Sequence, residues 1–239
     1  MKKLVYALII VLAFGSTGCV CMSVGIRGNG IIEKRIFDLK DFENITLPDK
    51  TDVTIVQGGE YMVEMELDGN LYEFLDVHVS HGTLHIGFVQ GVNVRGYHRY
   101  AIRIQLPSLA SLHIDWGYAA ISGFTDVGKE MRISHTGPVT ISVDAVLRKL
   151  EIEATGSGTV TAKGHVKILS FNGSGPCTLN AFELESEQVN VDSSWGEVNV
   201  TVKNSLQADL SGPVHLRYKG DPSHVMIRAS GYSKVERVE

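Results

Sequence analysis

Cysteine is scarce in this sequence, three residues in 239. Cys19 and Cys21 lie near the start and Cys177 lies far from both. They build no disulfide framework and no paired metal spacing. Proline is scarce too, at six residues against 25 glycines, and aromatics make up only 8%. That balance suits a turn-rich β protein. The one long hydrophobic run, Leu4 to Phe14, is too short to span a bilayer. A basic excess is missing as well. Of the 22 Lys and Arg, setting aside Lys2 and Lys3 leaves 20 against 27 Asp and Glu, a net charge of −7 over residues 19–239. With no basic stripe, nucleic acid and anionic headgroups are poor partners for such a chain.

What is present is a repeat. Seven glycine-centred segments recur, with their central glycines at 117, 137, 158, 175, 196, 212 and 231. They lie 20, 21, 17, 21, 16 and 19 residues apart. A period near 20 made of β-type residues marks a stacked solenoid. Apolar residues alternate around each glycine, as in Leu206, Ala208 and Leu210 before Gly212, with Val214 and Leu216 after it. Period two means strand with one face buried. The glycines share the parity of the inward residues, so they are expected in one interior row along an edge of the stack. Ser157, Ser174, Ser211 and Ser230 then face outward, and Cys177 takes an inward slot as a buried free thiol. Two coils break the phase. Ile114 to Gly117 is three residues and Val191 to Gly196 is five, where other coils have four. These are the coils that carry Trp116 and Trp195.

The start of the chain reads as an address. Lys2 and Lys3, the run Leu4–Phe14, and the small residues Gly15 to Gly18 before Cys19 form a secretory signal. Ser16-Thr17-Gly18-Cys19 resembles a bacterial lipobox, departing from it at Ser16, so Cys19 is the expected lipidation site. The implied organisation is a signal peptide over 1–18, a tether over 19–29, an N-terminal β portion over 30–110 and solenoid repeats over 111–239. The N-terminal portion reads as strands at Asp52–Val56, Met62–Leu67 and Ala101–Leu106, and as a hairpin of Val77–Val79 with Leu84–Ile86. Only Asn70 to Leu75 suits a helical turn. No linker separates this portion from the repeats, so one continuous β body is expected.

The order of several short motifs resembles a known family. Gly28-Asn29-Gly30-Ile31-Ile32, Arg35-Ile36-Phe37-Asp38-Leu39 and Phe42-Glu43-Asn44-Ile45 are similar to the opening of the head GIN domain family, labelled a putative auto-transporter adhesin. His81 to Ile86, Leu106-Pro107-Ser108-Leu109, the Gly-Ser-Gly triplets at 156–158 and 173–175, and Tyr218 to Pro222 continue the likeness. It implies an all-β, right-handed parallel β-helix-like solenoid in exported proteins, often lipoproteins. It brings no catalytic residue. The auto-transporter label fits less well, since no membrane barrel is expected after the repeats.

Candidate sites are few. His78 and His85 would face each other across the hairpin and could share a transition metal, although no third ligand is evident. The bland alternative is two solvated histidines. Trp116, Tyr118, Trp195 and Tyr232 flank the repeat glycines where other coils place Ser, Thr or Pro. Exposed rings on a β face could stack on sugars, or simply cover irregular coils. By spacing, Asp115, Asp192 and Asp209 form no tight cluster on neighbouring coils; Asp192 and Asp209 are the nearest pair, four and three residues before Gly196 and Gly212, and no serine has a nucleophile-elbow context. The Gly-x-Gly triplets continue strands and open no helix, so they are not phosphate loops. The expected protein is non-catalytic and needs no cofactor. It would be lipid-anchored at the outer membrane, facing the periplasm or exposed at the surface, and bind an envelope or extracellular protein or glycan. The competing reading is a polysaccharide-binding or polysaccharide-cleaving β-helix.

Overall fold

The computed structural model describes residues 25–239. The signal peptide, Cys19 and Cys21 lie outside the described residues. The fold is a parallel β-solenoid of about seven turns. One sheet of 16 strands runs through both halves of the chain.

Alternation drives each coil inward. On one side Leu112, Ile133, Ile152, Phe171, Val191, Ala208 and Ile227 pair rung to rung. On another, Val53, Ala119, Ile141, Val160, Leu179, Val198 and Leu216 do the same. Except for Ile227, all of these are buried. Each large aliphatic side chain withdrawn from water contributes roughly 1.5–3 kcal/mol before entropy is counted. No single coil can bury its own row, so the ladder of coils is the stable unit. Outward rungs carry opposite charges on adjacent coils, as in Arg132–Glu151 at 3.1 Å, Lys163–Asp144 at 3.2 Å and Arg217–Glu197 at 2.8 Å.

The glycines mark one corner of the solenoid, but in two rows, not one. Gly117, Gly158 and Gly196 share a rung position with Val139, Cys177 and Val214. Gly137, Gly175 and Gly212 sit two residues earlier, inside the turn. The cause is coil-to-coil contact. At Gly158, whose φ is +139°, a Cβ would lie 2.2 Å from the carbonyl oxygen of Val139. At Gly175 it would lie 2.4 Å from the carbonyl oxygen of Thr155. Backbone meets backbone there, and no side chain fits.

The same register explains the phase slips. Ile114, His135, Ala154, Gly173, Ser193 and Leu210 form the last rung before the corner. Three residues turn most corners, for example Thr136-Gly137-Pro138. Only two turn the tryptophan corners, Asp115-Trp116 and Ser194-Trp195. Both slips are therefore shortened turns. The strands on either side keep their register, and the missing residue is absorbed in the corner.

The parallel stack reaches back past residue 111. Asn44–Leu47 pairs with Ser111–Ile114, and Thr51–Gln57 pairs with the start of Gly117–His135. Those two strands pair in parallel once more, with Thr83–Phe88 and Tyr100–Leu106 respectively, and only beyond that does the pairing turn antiparallel. Tyr100–Leu106 pairs with Met62–Asp68, which pairs with the edge strand Ile32–Phe37. A 3-10 turn at Gly69–Phe74 lies where the sequence allowed a helical turn. The hairpin Leu75–Ser80 with Thr83–Phe88 turns through His81 and Gly82, both at positive φ.

Asp68, fully buried, pins this end. Its carboxylate accepts the amides of Gly30 and His98, each at 2.7 Å, and lies 2.8 Å from His98 Nδ1. Burial pushes its pKa up, but those amide donors outweigh burial and hold it below the ordinary value. The other end is open. The last coil, His224–Ala229 and Lys234–Arg237, is mostly exposed, and Val225 and Met226 face solvent.

Gly175→Val should lower stability by at least about 1–3 kcal/mol, since the added atoms meet a carbonyl that cannot move independently. Gly59→Ala, with open space around it, should leave the melting temperature unchanged. Thermal unfolding of the two variants checks the contrast.

Candidate binding face

The short corners lift their aromatics into solvent. Trp116 is 51% exposed and Trp195 53%. Each directly precedes the first rung of the next strand, the position taken by Pro138, Ser157, Pro176, Pro213 and Tyr232 in other coils. Together these residues form a ridge along the solenoid axis. Trp116 and Trp195 stand four coils apart, about 19 Å at ~4.8 Å per strand. Tyr232, 92% exposed, lies two coils beyond Trp195. Tyr118 is different. It projects from the adjoining face beside Asp52, one strand after Trp116. The four aromatics are thus on one side of the molecule without forming one cluster. Lys50, which holds the ridge position of the first coil, places Nζ 5.7 Å from the Trp116 ring centroid, within cation–π reach.

A polar groove follows the other shoulder of the corner. Glu153, Asn172, Asp192, Asp209 and Arg228 pair rung to rung. Thr155, Ser174, Ser194, Ser211 and Ser230 run alongside. Asp192 and Asp209, the nearest pair by spacing, are therefore direct rung neighbours without the one-residue offset that the spacing implied. Counting back from glycines misaligned them because Gly196 stands on the first rung whereas Gly212 sits two residues earlier, inside the turn, and the one-residue shortening at Ser194-Trp195 offsets only half of that difference. Arg228 Nη1 lies 3.4 Å from Asp209 Oδ1. The groove has two adjoining hollows of about 330 and 250 Å³. Ser157, Ser174, Ser211 and Ser230 are exposed, as their parity requires. Asp115 belongs to the corner itself, hydrogen-bonded by Thr136.

His78 and His85 do oppose each other across the hairpin. Their rings stack at 4.9 Å between centroids and 20° between planes. His78 Nδ1 lies 2.8 Å from Asp76 Oδ1. Among the described residues, no group of three or more metal-ligating side chains gathers there or elsewhere.

A larger hollow, about 550 Å³, went unread in the sequence. It lies where the antiparallel strands meet the solenoid face, lined by Lys34, Asp52, Thr54, Glu64, Glu66, Arg99, Arg103 and Tyr118, with Ala101 and Ile102. The outward charges at Glu64, Glu66 and Arg103 are visible in the alternation of their strands. The antiparallel pairing that sets Arg103 opposite Glu64 is not.

Inside the stack, buried His135 reaches over Ala154 and Gly158 to Cys177, with Nε2 3.6 Å from Sγ. Its Nδ1 lies 3.2 Å from the carbonyl oxygen of Gly137. Burial pushes the Cys177 thiol up to about 11 and the His135 imidazole down.

A family model described as "Putative auto-transporter adhesin, head GIN domain" matches residues 41–222. The chain belongs to this family. Three solved structures are similar to this head GIN chain over 90% of its length. One, titled a putative adhesin from Bacteroides fragilis, has 21% identity, a TM-score of 0.82 and 100% of its own chain covered. One from Parabacteroides distasonis, titled a putative lipid binding protein, has 25% identity, a TM-score of 0.72 and 99% covered. Another from the same species, titled a putative adhesin, has 21% identity, a TM-score of 0.70 and 100% covered. None of the curated proteins compared matches the chain. The family and the solenoid fit a non-catalytic adhesion role for an exported or cell-surface protein.

Cys177 should resist iodoacetamide at pH 8 in the folded chain, because little thiolate forms and the sulfur is buried. It should be alkylated once denaturant unfolds the solenoid. Peptide-level mass spectrometry reads that site separately from Cys19 and Cys21.

Proposed function

We propose that this head GIN protein is a lipid-anchored envelope protein that holds a partner, protein or glycan, along its solenoid ridge and performs no chemistry. The observation that carries the reading is the pair of shortened corners. Each drops one turn residue and presents a tryptophan to solvent, at a cost in exposed apolar surface that a purely structural corner avoids. The first coil turns with Asp49-Lys50, and the other corners with Gly-Pro, Gly-Ser or, in the last coil, Gly-Tyr. Rigid aromatic side chains fixed on a β scaffold make good contact anchors, since little freedom is lost on binding. The anchor rests on Ser16-Thr17-Gly18-Cys19, and the periplasm-facing outer-membrane orientation rests on the lack of an acidic cluster in Val20 to Gly25.

A second reading has its own observation. Asp192 and Asp209 stand on adjacent rungs of one groove beside Arg228, and paired carboxylates flanking a glycan are what glycoside cleavage requires. Release of reducing ends from a polysaccharide, lost in Asp192→Asn or Asp209→Asn, would replace the binding reading with this one.

If the binding reading holds, Trp116→Ala and Trp195→Ala should each weaken partner binding by ~2 kcal/mol or more, with melting unchanged. Glycan arrays and pull-downs from envelope fractions provide the partner. Intact binding in both variants removes the ridge from the reading. For the anchor, mass spectrometry of the native protein should find lipid on Cys19, and Cys19→Ala should leave the membrane fraction.

A further inference from the structure

The chemistry of the 550 Å³ hollow can be read group by group. Its size falls in the range of small-molecule sites. Two of its ion pairs are internally satisfied, Lys34–Glu64 at 2.8 Å and Arg99–Glu66 at 3.1 Å. Two of its charges are not. Among the described residues, neither Arg103 nor Asp52 makes an ion pair or a side-chain hydrogen bond. Thr54, the rung neighbour of Arg103, and Tyr118, the rung neighbour of Asp52, complete the free set. The hollow therefore offers one guanidinium, one carboxylate, a threonine hydroxyl and a tyrosine ring with its phenol.

A recess of about 220 Å³ adjoins it and shares Asp52 and Arg99. Thr51 and Tyr100 line this recess. Both are at least nine-tenths buried, and neither Thr51 Oγ1 nor the Tyr100 hydroxyl has a hydrogen-bond partner. Both side chains share the inward parity of Val53 and Ile102, so these hydroxyls lie on the core side and the recess offers a ligand Asp52 and Arg99 instead.

The surroundings set the rest of the ligand. From Tyr118 the outward rung continues through Thr140, Thr159 and Thr178, and the parallel rung from Ala120 through Ser142, Thr161 and Asn180. This lane is flat, uncharged and rich in hydroxyl and amide groups. Its repeat, ~4.8 Å per coil, suits an extended polyhydroxylated chain. A peptide would instead seek an open strand edge, which this face does not present.

The geometry points to a site for a glycan that ends in an acidic sugar. Its carboxylate lies on Arg103, its hydroxyls on Asp52 and Thr54, its ring face on Tyr118, and its neutral remainder along the threonine lane. A guanidinium matches a carboxylate in two parallel hydrogen bonds. An aromatic face beside polar groups is the usual pairing for a sugar ring, apolar on one side and hydroxylated at its rim. This site deepens the binding reading above and rests on it, but uses Tyr118 and not the ridge.

Isothermal titration of the purified full chain tests the site, with sialyl-lactose, a glucuronosyl-terminated trisaccharide and neutral lactose as probes. At least one acidic probe should bind about tenfold or more tightly than lactose, the ratio expected for one charge-assisted contact. Arg103→Gln should erase that ratio, and Tyr118→Ala should weaken the acidic probe. Lys163→Gln, a surface charge change away from the hollow, should alter neither. Because Arg103 is exposed, its variant should melt like the parent. Equal affinity for acidic and neutral probes overturns the site, as does a preference that survives Arg103→Gln, or no binding of either acidic probe. A chain that ignores both acidic probes yet loses an array ligand in Trp195→Ala keeps the ridge and loses this site. Acid preference with unchanged binding in Trp195→Ala does the reverse.

Discussion

Backbone against backbone at one corner is the constraint on which this solenoid depends. Parallel rungs require each coil to follow the one below at strand spacing, and at the corner nothing may stand between them. A methyl group at Gly158 or Gly175 would sit inside a carbonyl oxygen of the preceding coil. Glycine is needed there for lack of bulk more than for flexibility. Once the corner closes, the inward rows follow. Phe171, Val191 and their neighbours stack because the corners hold them in register.

A fixed corner also governs the outside. Each outward position becomes a column along the axis, so chemistry accumulates in rows. Threonines form a lane, carboxylates and hydroxyls form a groove, and corner residues form a ridge. Surface features here are set by register, and small changes in corner length move them. The tryptophans show this. Dropping one turn residue leaves the core undisturbed and changes what the ridge presents.

Much of this was legible in the sequence, for physical reasons. Period-two alternation and a repeat near 20 residues are local signals, so the solenoid, the hairpin and the facing pair His78 and His85 could be read directly. The buried thiol of Cys177 followed from parity alone. The exact rung was harder. Gly156 and Gly158 lie two residues apart in one corner, and nothing local says which aligns with Gly137. That ambiguity displaced the glycine row and hid the contact of Asp192 with Asp209. The hollow around Arg103 was out of reach for another reason. It depends on strands some forty residues apart pairing antiparallel, where the repeat no longer sets the partner. Arg103, Asp52 and Tyr118 meet only in three dimensions.

The two ends of the stack differ, and this gives the molecule a direction. One end is closed by antiparallel strands, with the inner face of Met62–Asp68 buried and the edge Ile32–Phe37 mostly exposed, and by the buried carboxylate of Asp68. The other stops at a coil that remains mostly wet. A one-dimensional stack loses structure from its weaker terminus, rung by rung. Fraying therefore begins at Tyr232 and advances toward Trp195, while Trp116, Tyr118 and Arg103 belong to the last part to let go. Whatever is held near the closed end is held by the most durable portion of the protein.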